Sequence, residues 1–184
     1  MIVYLHGFNS SPQSHKAQVL GKYMAARGLG AEFSCPRLPP TAREAISVIK
    51  NIAGSSSPCY VGSSLGGYYA TYAVETWGGR AVLINPAIEP HIGLRAYLGP
   101  QTNLYTGEPY ELTEEHLQQW RELYAPRITP SRYLLLVETG DEVLDYRQAV
   151  QRYAGAEQVV IEGGDHSLRS FADHLERIMR FAGY

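Results

Sequence analysis

Ser64 is the residue with the clearest chemical promise. It stands at the centre of Gly62-Ser63-Ser64-Leu65-Gly66, a G-x-S-x-G pentapeptide lying between a short apolar run and a helical pattern. In that context the motif is a nucleophile elbow: the serine sits on a strained turn, and glycines two before and two after it let neighbouring backbone approach. A serine hydroxyl is a poor nucleophile at neutral pH, so the chemistry also needs a base and a group to hold the base in one tautomer. Ser63 is the competing hydroxyl and lacks the flanking glycines.

Among the six histidines, His166 is the expected base, because Gly163-Gly164-Asp165-His166-Ser167 follows the last apolar strand and precedes the last helix. His6 belongs to another feature, and His15, His91, His116 and His174 fall in helical or insertion segments. The acid is expected between nucleophile and histidine in chain order, at the carboxyl end of a strand. Asp141 fits, since Thr139-Gly140 makes a turn after Tyr133-Leu134-Leu135-Leu136-Val137-Glu138. Asp145 is the alternative. Glu142, read as facing solvent, and Asp165, too close to His166 in sequence, are weaker. The tetrahedral oxyanion requires preorganised donors. The expected ones are the backbone N–H groups of Leu65 and of Phe8, the latter in the turn Leu5-His6-Gly7-Phe8-Asn9, where His6 is read as a buttress for the loop.

These residues must be delivered by a suitable frame. Apolar runs at 2–5, 31–34, 59–62, 81–85, 132–138 and 158–161 read as strands, and they alternate with helical patterns at 15–27, 41–53, from just after Ser64 to 77, and 168–181. That rhythm predicts an α/β fold, a mostly parallel sheet of about six strands with helices on both faces. Thr41 and Glu44 have capping-box spacing. Residues 87–130 break the rhythm, with five prolines, several aromatics and one short helix at 113–124. A loop of this length in a compact domain is often functional, and it reads as a lid insertion covering the substrate. One domain is expected over residues 1–184.

Composition excludes several classes. A formal net charge of −2 with interspersed acids and bases gives no footprint for nucleic acid. No stretch reaches the roughly 18 apolar residues of a membrane span, and the first residues read as a core strand and not as a signal peptide. Cys35 and Cys59 lack any zinc-ligand pattern and read as buried thiols of a reducing cytoplasm. A small neutral or modestly charged substrate is expected. Nothing specifies an oligomeric state.

The chain resembles the small YqiA-like esterases of bacteria, a compact branch of the α/β-hydrolase superfamily. The resemblance is carried by Tyr4-Leu5-His6-Gly7-Phe8-Asn9-Ser10-Ser11-Pro12, Gly62 to Gly67, Asn85-Pro86-Ala87, Gly140-Asp141-Glu142-Val143-Leu144-Asp145-Tyr146 and Gly164-Asp165-His166. It implies esterase or thioesterase activity, a cytoplasmic setting, no cofactor and the triad Ser64, Asp141, His166. It also implies a reduced sheet without the two antiparallel strands that precede the oxyanion strand in larger relatives. An acyl-CoA thioesterase would use the same triad, with Arg95, Arg121 and Arg127 as the residues able to meet CoA phosphates. A binding protein on a hydrolase scaffold is the remaining reading, and the intact triad argues against it. Tyr68, Tyr69, Tyr97, Tyr105 and Tyr110 are candidates to line the acyl pocket, with core packing the favoured reading of Tyr69 and of Tyr72.

Overall fold

A computed structural model describes all 184 residues. In chain order the elements are β1 (Ile2–Leu5), α1 (His15–Ala26), β2 (Phe33–Ser34), α2 (Ala42–Ala53), β3 (Cys59–Ser63), α3 (Leu65–Trp77), β4 (Arg80–Ile84), α4 (Pro90–Gly93), β5 (Gly99–Thr102), β6 (Pro109–Leu112), α5 (Glu114–Glu122), β7 (Tyr133–Glu138), α6 (Tyr146–Arg152), β8 (Glu157–Ile161) and α7 (Leu175–Ala182). The main sheet has six strands in the order β2-β1-β3-β4-β7-β8. Every pairing in it is parallel, so all the βα loops emerge from one edge.

Strand alternation explains the two cores. Val3, Leu5, Tyr60, Ala81, Leu83, Leu135 and Val137 point to one face, under α2, α3 and α5. Their neighbours Ile2, Tyr4, Val61, Val82, Ile84, Leu134 and Leu136 point to the other, under α1 and α7. Both faces are buried, and the strands therefore read as near-continuous apolar runs.

The six expected strands form, with the second reduced to Phe33–Ser34 because Gly30–Glu32 make a 3-10 turn. The last helix is shorter than expected. Leu168, where the helix was expected to start, is left-handed (φ 54°) and stands outside it; Arg169–His174 are 3-10 and the α-helix begins at Leu175. Thr41 does not make the expected capping box: its hydroxyl donates to the Glu44 carboxylate, 2.6 Å, and accepts no backbone N–H. Helix α6 was not expected; Asp145 caps it by accepting from the Arg147 amide, 3.0 Å. Cys59 is buried as expected, whereas Cys35 is only half-buried, and both thiols are free. Burial pushes both up to about 12.

The insertion contains more order than the single helix foreseen. Strands β5 and β6 form an antiparallel hairpin, pairing Gly99 with Leu112 and Thr102 with Pro109. Prolines at 100 and 109 hid it, since proline within a run demotes a strand to an edge position. Helix α5 packs into the core through Leu117 and the fully buried Trp120, whose indole N–H donates to the Tyr69 hydroxyl at 2.7 Å. This segment is thus fastened to the sheet-covering helix α3.

The glycines of the elbow explain how closely these layers meet. A Cβ on Gly66 would lie 1.9 Å from the Leu5 carbonyl oxygen, and one on Gly62 would lie 2.4 Å from the Gly66 carbonyl oxygen. Gly66→Ala is therefore expected to cost about 3 kcal/mol, the upper range for overpacking, which lowers the melting temperature by about 6–12 °C. Gly93→Ala is the control, at a helical φ of −62° with open space around it. Its melting temperature should stay within about 2 °C of wild type in the same thermal scan.

Candidate active site

Ser64 sits between β3 and α3 with φ 55° and ψ −120°. A residue with a side chain rarely holds such a backbone, and it persists only where surroundings over-determine it. Here the Ser64 amide donates to the Ile84 carbonyl at 3.0 Å, and the Ser64 carbonyl accepts from the Gly67 amide at 2.9 Å and the Ala87 amide at 3.1 Å. The hydroxyl therefore stands at the carboxyl edge of the sheet, at the start of α3, where first-turn amides have no intrahelical partner. Ser63 is buried in β3, away from that position.

Asp141 and His166 meet as their order in the chain suggested. His166 Nδ1 lies 2.8 Å from Asp141 Oδ2, while Asp141 Oδ1 accepts from the Val143 and Leu144 amides, each at 2.8 Å. The ionised carboxylate makes no donation, so the Nδ1 proton is the one shared, and Nε2 is left as the basic nitrogen. Burial alone would push the Asp141 carboxyl up, but the His166 bond and the two amides outweigh it and hold the group below the usual aspartate range. The Asp141 side chain is 1% exposed and that of His166 is 23% exposed, so the acid is sealed and the ring remains accessible.

The two loops carrying this pair are zipped to each other. The Thr139 amide donates to the Ile161 carbonyl at 2.8 Å, the Gly140 amide to the Gly163 carbonyl at 2.7 Å, and the Gly163 amide to the Thr139 hydroxyl at 2.9 Å. A Cβ on Gly140 would fall 2.5 Å from the Gly164 carbonyl oxygen. The other acids have different duties. Asp145 caps α6, and Asp165 binds the Ser167 amide and hydroxyl and the Arg169 guanidinium, which hold it down at about 2. Glu142 is exposed as expected, yet it accepts from the His166 amide at 3.0 Å.

Two positioning residues were missed from sequence. Glu138, 1% exposed at the end of β7, accepts from the amides of Asp165 (2.8 Å), Arg169 (3.0 Å) and Ser170 (3.0 Å) and from the Ser170 hydroxyl (2.7 Å). Asn85, with φ 39°, donates through Nδ2 to the Asp165 and His166 carbonyls, both at 3.1 Å, and accepts the Glu138 amide at 3.1 Å. Lys16 adds a bond from Nζ to the Ser167 carbonyl at 2.7 Å. The histidine loop is thereby fixed from three sides. An acidic residue closing a run of buried leucines, and an asparagine before proline at a strand end, were the available signals.

The loop after β1 abuts the nucleophile. A Cβ on Gly7 would sit 3.2 Å from Ser64 Cβ and 3.7 Å from its hydroxyl oxygen. His6 buttresses this loop as expected: it is buried, Nε2 accepts from the Leu38 amide at 3.0 Å, and Nδ1 donates to the Gly7 carbonyl at 3.1 Å. Burial keeps the ring below the usual histidine range, so it stays neutral with one donor and one acceptor nitrogen. The Phe8 amide has no backbone acceptor.

A cavity of about 450 Å³ opens beside this loop, with walls that include Phe8, Leu38, Leu65, Tyr69 and Tyr110. Arg37 and Glu108 form an ion pair among its lining residues. Tyr110 is thus among the lining residues, and Tyr69, buried in the core as the favoured reading had it, also reaches the cavity wall. Tyr68 instead donates its hydroxyl to the Trp120 carbonyl, and Tyr97 and Tyr105 are about half exposed. Arg95 is held by both oxygens of Glu114, at 2.7 and 3.0 Å, while Arg121 and Arg127 are exposed. No helix is long and apolar enough to cross a membrane.

An all-parallel sheet whose third strand ends in a left-handed serine at a helix start defines the α/β-hydrolase fold. Solved structures agree: a putative hydrolase from Agrobacterium vitis S4 superposes with a TM-score of 0.77 at 19% identity, covering 98% of this chain and 87% of that one. The esterase domain of a Rhodothermus marinus protein does so with a TM-score of 0.65 at 16% identity, covering 98% and 85%. Within that class, the chain belongs to the uncharacterised protein family UPF0227, which matches residues 1–183. It is 25% identical over 188 residues to the UPF0227 protein of Serratia proteamaculans, covering 98% of each.

Burial alone would raise the Glu138 carboxyl, but the Ser170 amide and hydroxyl and the Asp165 and Arg169 amides outweigh it and leave it low. A carboxylate depressed on folding adds stability that is complete above its unfolded value of about 4.3 and is lost as pH falls through the folded value. The melting temperature should therefore fall as pH drops from about 5 to 3. Glu138→Gln, which turns a donor toward amide donors, should be less stable at neutral pH and show a shallower fall over that acid interval. Wild-type stability of this variant at neutral pH would contradict the role given to Glu138.

Proposed function

We propose that the protein is a serine ester hydrolase that works by two-step acyl transfer. The observation that carries this reading is the 2.8 Å His166–Asp141 bond, presented at the same sheet edge as a serine held in the left-handed elbow conformation. Ser64 Oγ attacks the ester carbonyl as His166 Nε2 takes its proton, and Asp141 stabilises the imidazolium that forms. The carbonyl oxygen becomes an oxyanion bound by the Phe8 and Leu65 amides. His166 returns the proton to the departing alcohol, leaving an acyl-enzyme; it then activates water, which releases the acid and restores Ser64.

The cavity supplies an orientation. The leaving oxygen must face His166 to receive its proton, and the cavity, which lies beside Ser64 and not around it, is lined by both residues that offer oxyanion amides and by neither Ser64 nor His166. It therefore receives the acyl side of the ester. Its volume suits a small to medium acyl group. The segment 87–130 acts here as a fixed wall within a single domain, since Tyr110 and Glu108 of the hairpin line the cavity. Resemblance in fold to the Rhodothermus esterase domain agrees with ester cleavage. An acyl-CoA substrate has less support, because Arg95, one of the three arginines considered for CoA phosphates, is already paired with Glu114.

Hydrolysis of a p-nitrophenyl ester series from acetate upward tests the reading. Wild type should turn over the short members, Ser64→Ala should lose about 10⁶ in kcat, and Asp141→Asn about 10⁴. Equal rates for wild type and Ser64→Ala would refute it. Matched acyl-CoA and oxygen esters should show no selective advantage for the CoA form.

A further inference from the structure

The loop that carries Phe8 is tied on its outer side to the β5–β6 hairpin. Asn9, with φ 51°, is the knot. Its Oδ1 accepts from the Tyr110 hydroxyl at 2.6 Å, its Nδ2 donates to the Gln101 side chain at 3.3 Å, and its carbonyl accepts from the Leu104 amide at 3.2 Å. Next to it, the Ser10 carbonyl accepts from Asn103 Nδ2 at 3.1 Å. The circuit closes on Phe8 itself: Gln101 donates to the Tyr97 carbonyl at 2.7 Å, and the Tyr97 and Tyr110 rings meet the Phe8 ring edge-on with centroids 5.9 and 6.5 Å away.

We infer that Asn9 is a positioning residue for catalysis: through Tyr110 it locks the Phe8 amide in the oxyanion-binding orientation, so that the hairpin of the insertion is a structural part of the oxyanion hole. This rests on the ester-hydrolase reading. The motion to be prevented is rotation of a peptide plane. The Phe8 N–H belongs to the Gly7–Phe8 peptide, whose glycine side offers little torsional resistance. His6 holds the inner end of this same plane through the Gly7 carbonyl, so the plane can turn only by pivoting about that bond, and the chain that follows Phe8 decides whether it does. The left-handed backbone of Asn9 is the next fixed point, and it is held by a hairpin about a hundred residues away in the chain. Oxyanion donors act because their orientation is set before charge develops, and an error near 1 Å can cost about 10²-fold.

The test is a kinetic cycle on the p-nitrophenyl ester that wild type hydrolyses best. Asn9→Gly keeps the left-handed backbone accessible while deleting the side-chain bonds, and Tyr110→Phe deletes one hydroxyl while keeping the ring against Phe8. Each should lower kcat by about 10–100-fold with KM changed less than about threefold. The double variant should be no worse than Asn9→Gly alone, as expected of two groups acting through one bond. A trifluoromethyl ketone, which forms a tetrahedral oxyanion on Ser64, should bind these variants more weakly by the factor lost in kcat. Thermal scans identify any variant that fails to fold, and Tyr110→Phe, the milder change, then decides. Unchanged kcat, or a rise confined to KM, would overturn the inference while leaving the hydrolase reading intact. A wild type inert toward every ester would overturn both.

Discussion

The left-handed backbone at Ser64 is the constraint around which the molecule is arranged. At φ 55° the side chain is thrust out from the sheet edge, and the conformation survives because Gly62, Gly66 and Gly67 let α3 approach β1, β3 and the Pro86 turn at distances no side chain would allow. The backbone strain is offset by three hydrogen bonds to the Ser64 backbone, two with the end of β4 and the loop after it and one from the first turn of α3. The four non-glycine residues with positive φ are Asn9, Ser64, Asn85 and Leu168, and each lies in a loop that surrounds this serine or the His166 loop. Strain of this kind gathers where surroundings over-determine geometry, as at active sites.

Burial and charge complete the same design. Glu138 and Asp141 are carboxylates kept ionised in sealed positions by amides and, for Asp141, by the imidazole. Glu138 organises the backbone of the histidine loop, and Asp141 orients the ring. The two carboxylates flank one turn, Thr139-Gly140, which is bonded to the Gly163-Gly164 turn of the next strand. Consequently the histidine is placed by strand register: β7 pairs with β8 from Leu134–Glu157 to Glu138–Ile161, and the loops simply continue that ladder. Stiffness of this sort suits a site whose donors must be aligned before reaction.

Much of this is legible in the chain because the relevant signals are local. The elbow glycines surround Ser64 in sequence, and the sheet strands are short apolar runs closed by turn residues. Asp141 and His166 follow from chain order and from the turns that precede them. The features that escape a reading of sequence are non-local or disguised. Glu138 reads as the polar end of a strand, and only the fold reveals the four donors converging on it. Asn85 reads as the last residue of a strand, although its side chain bridges two loops. The β5–β6 hairpin is masked by prolines on its edges, and with it the bonds to Asn9. Helix α6 is hidden because Asp145 reads as a candidate acid, when its role is to cap that helix.

The decisive measurement is a crystal structure of the protein inactivated with an alkyl fluorophosphonate. The acyl-transfer mechanism requires phosphorus bonded to Ser64 Oγ, the phosphonyl oxygen about 2.7–3.1 Å from the Phe8 and Leu65 amides, and the alkyl group in the cavity beside Tyr69 and Tyr110. Phosphorus on another residue, or on Ser64 with its oxygen turned away from both amides, would contradict it.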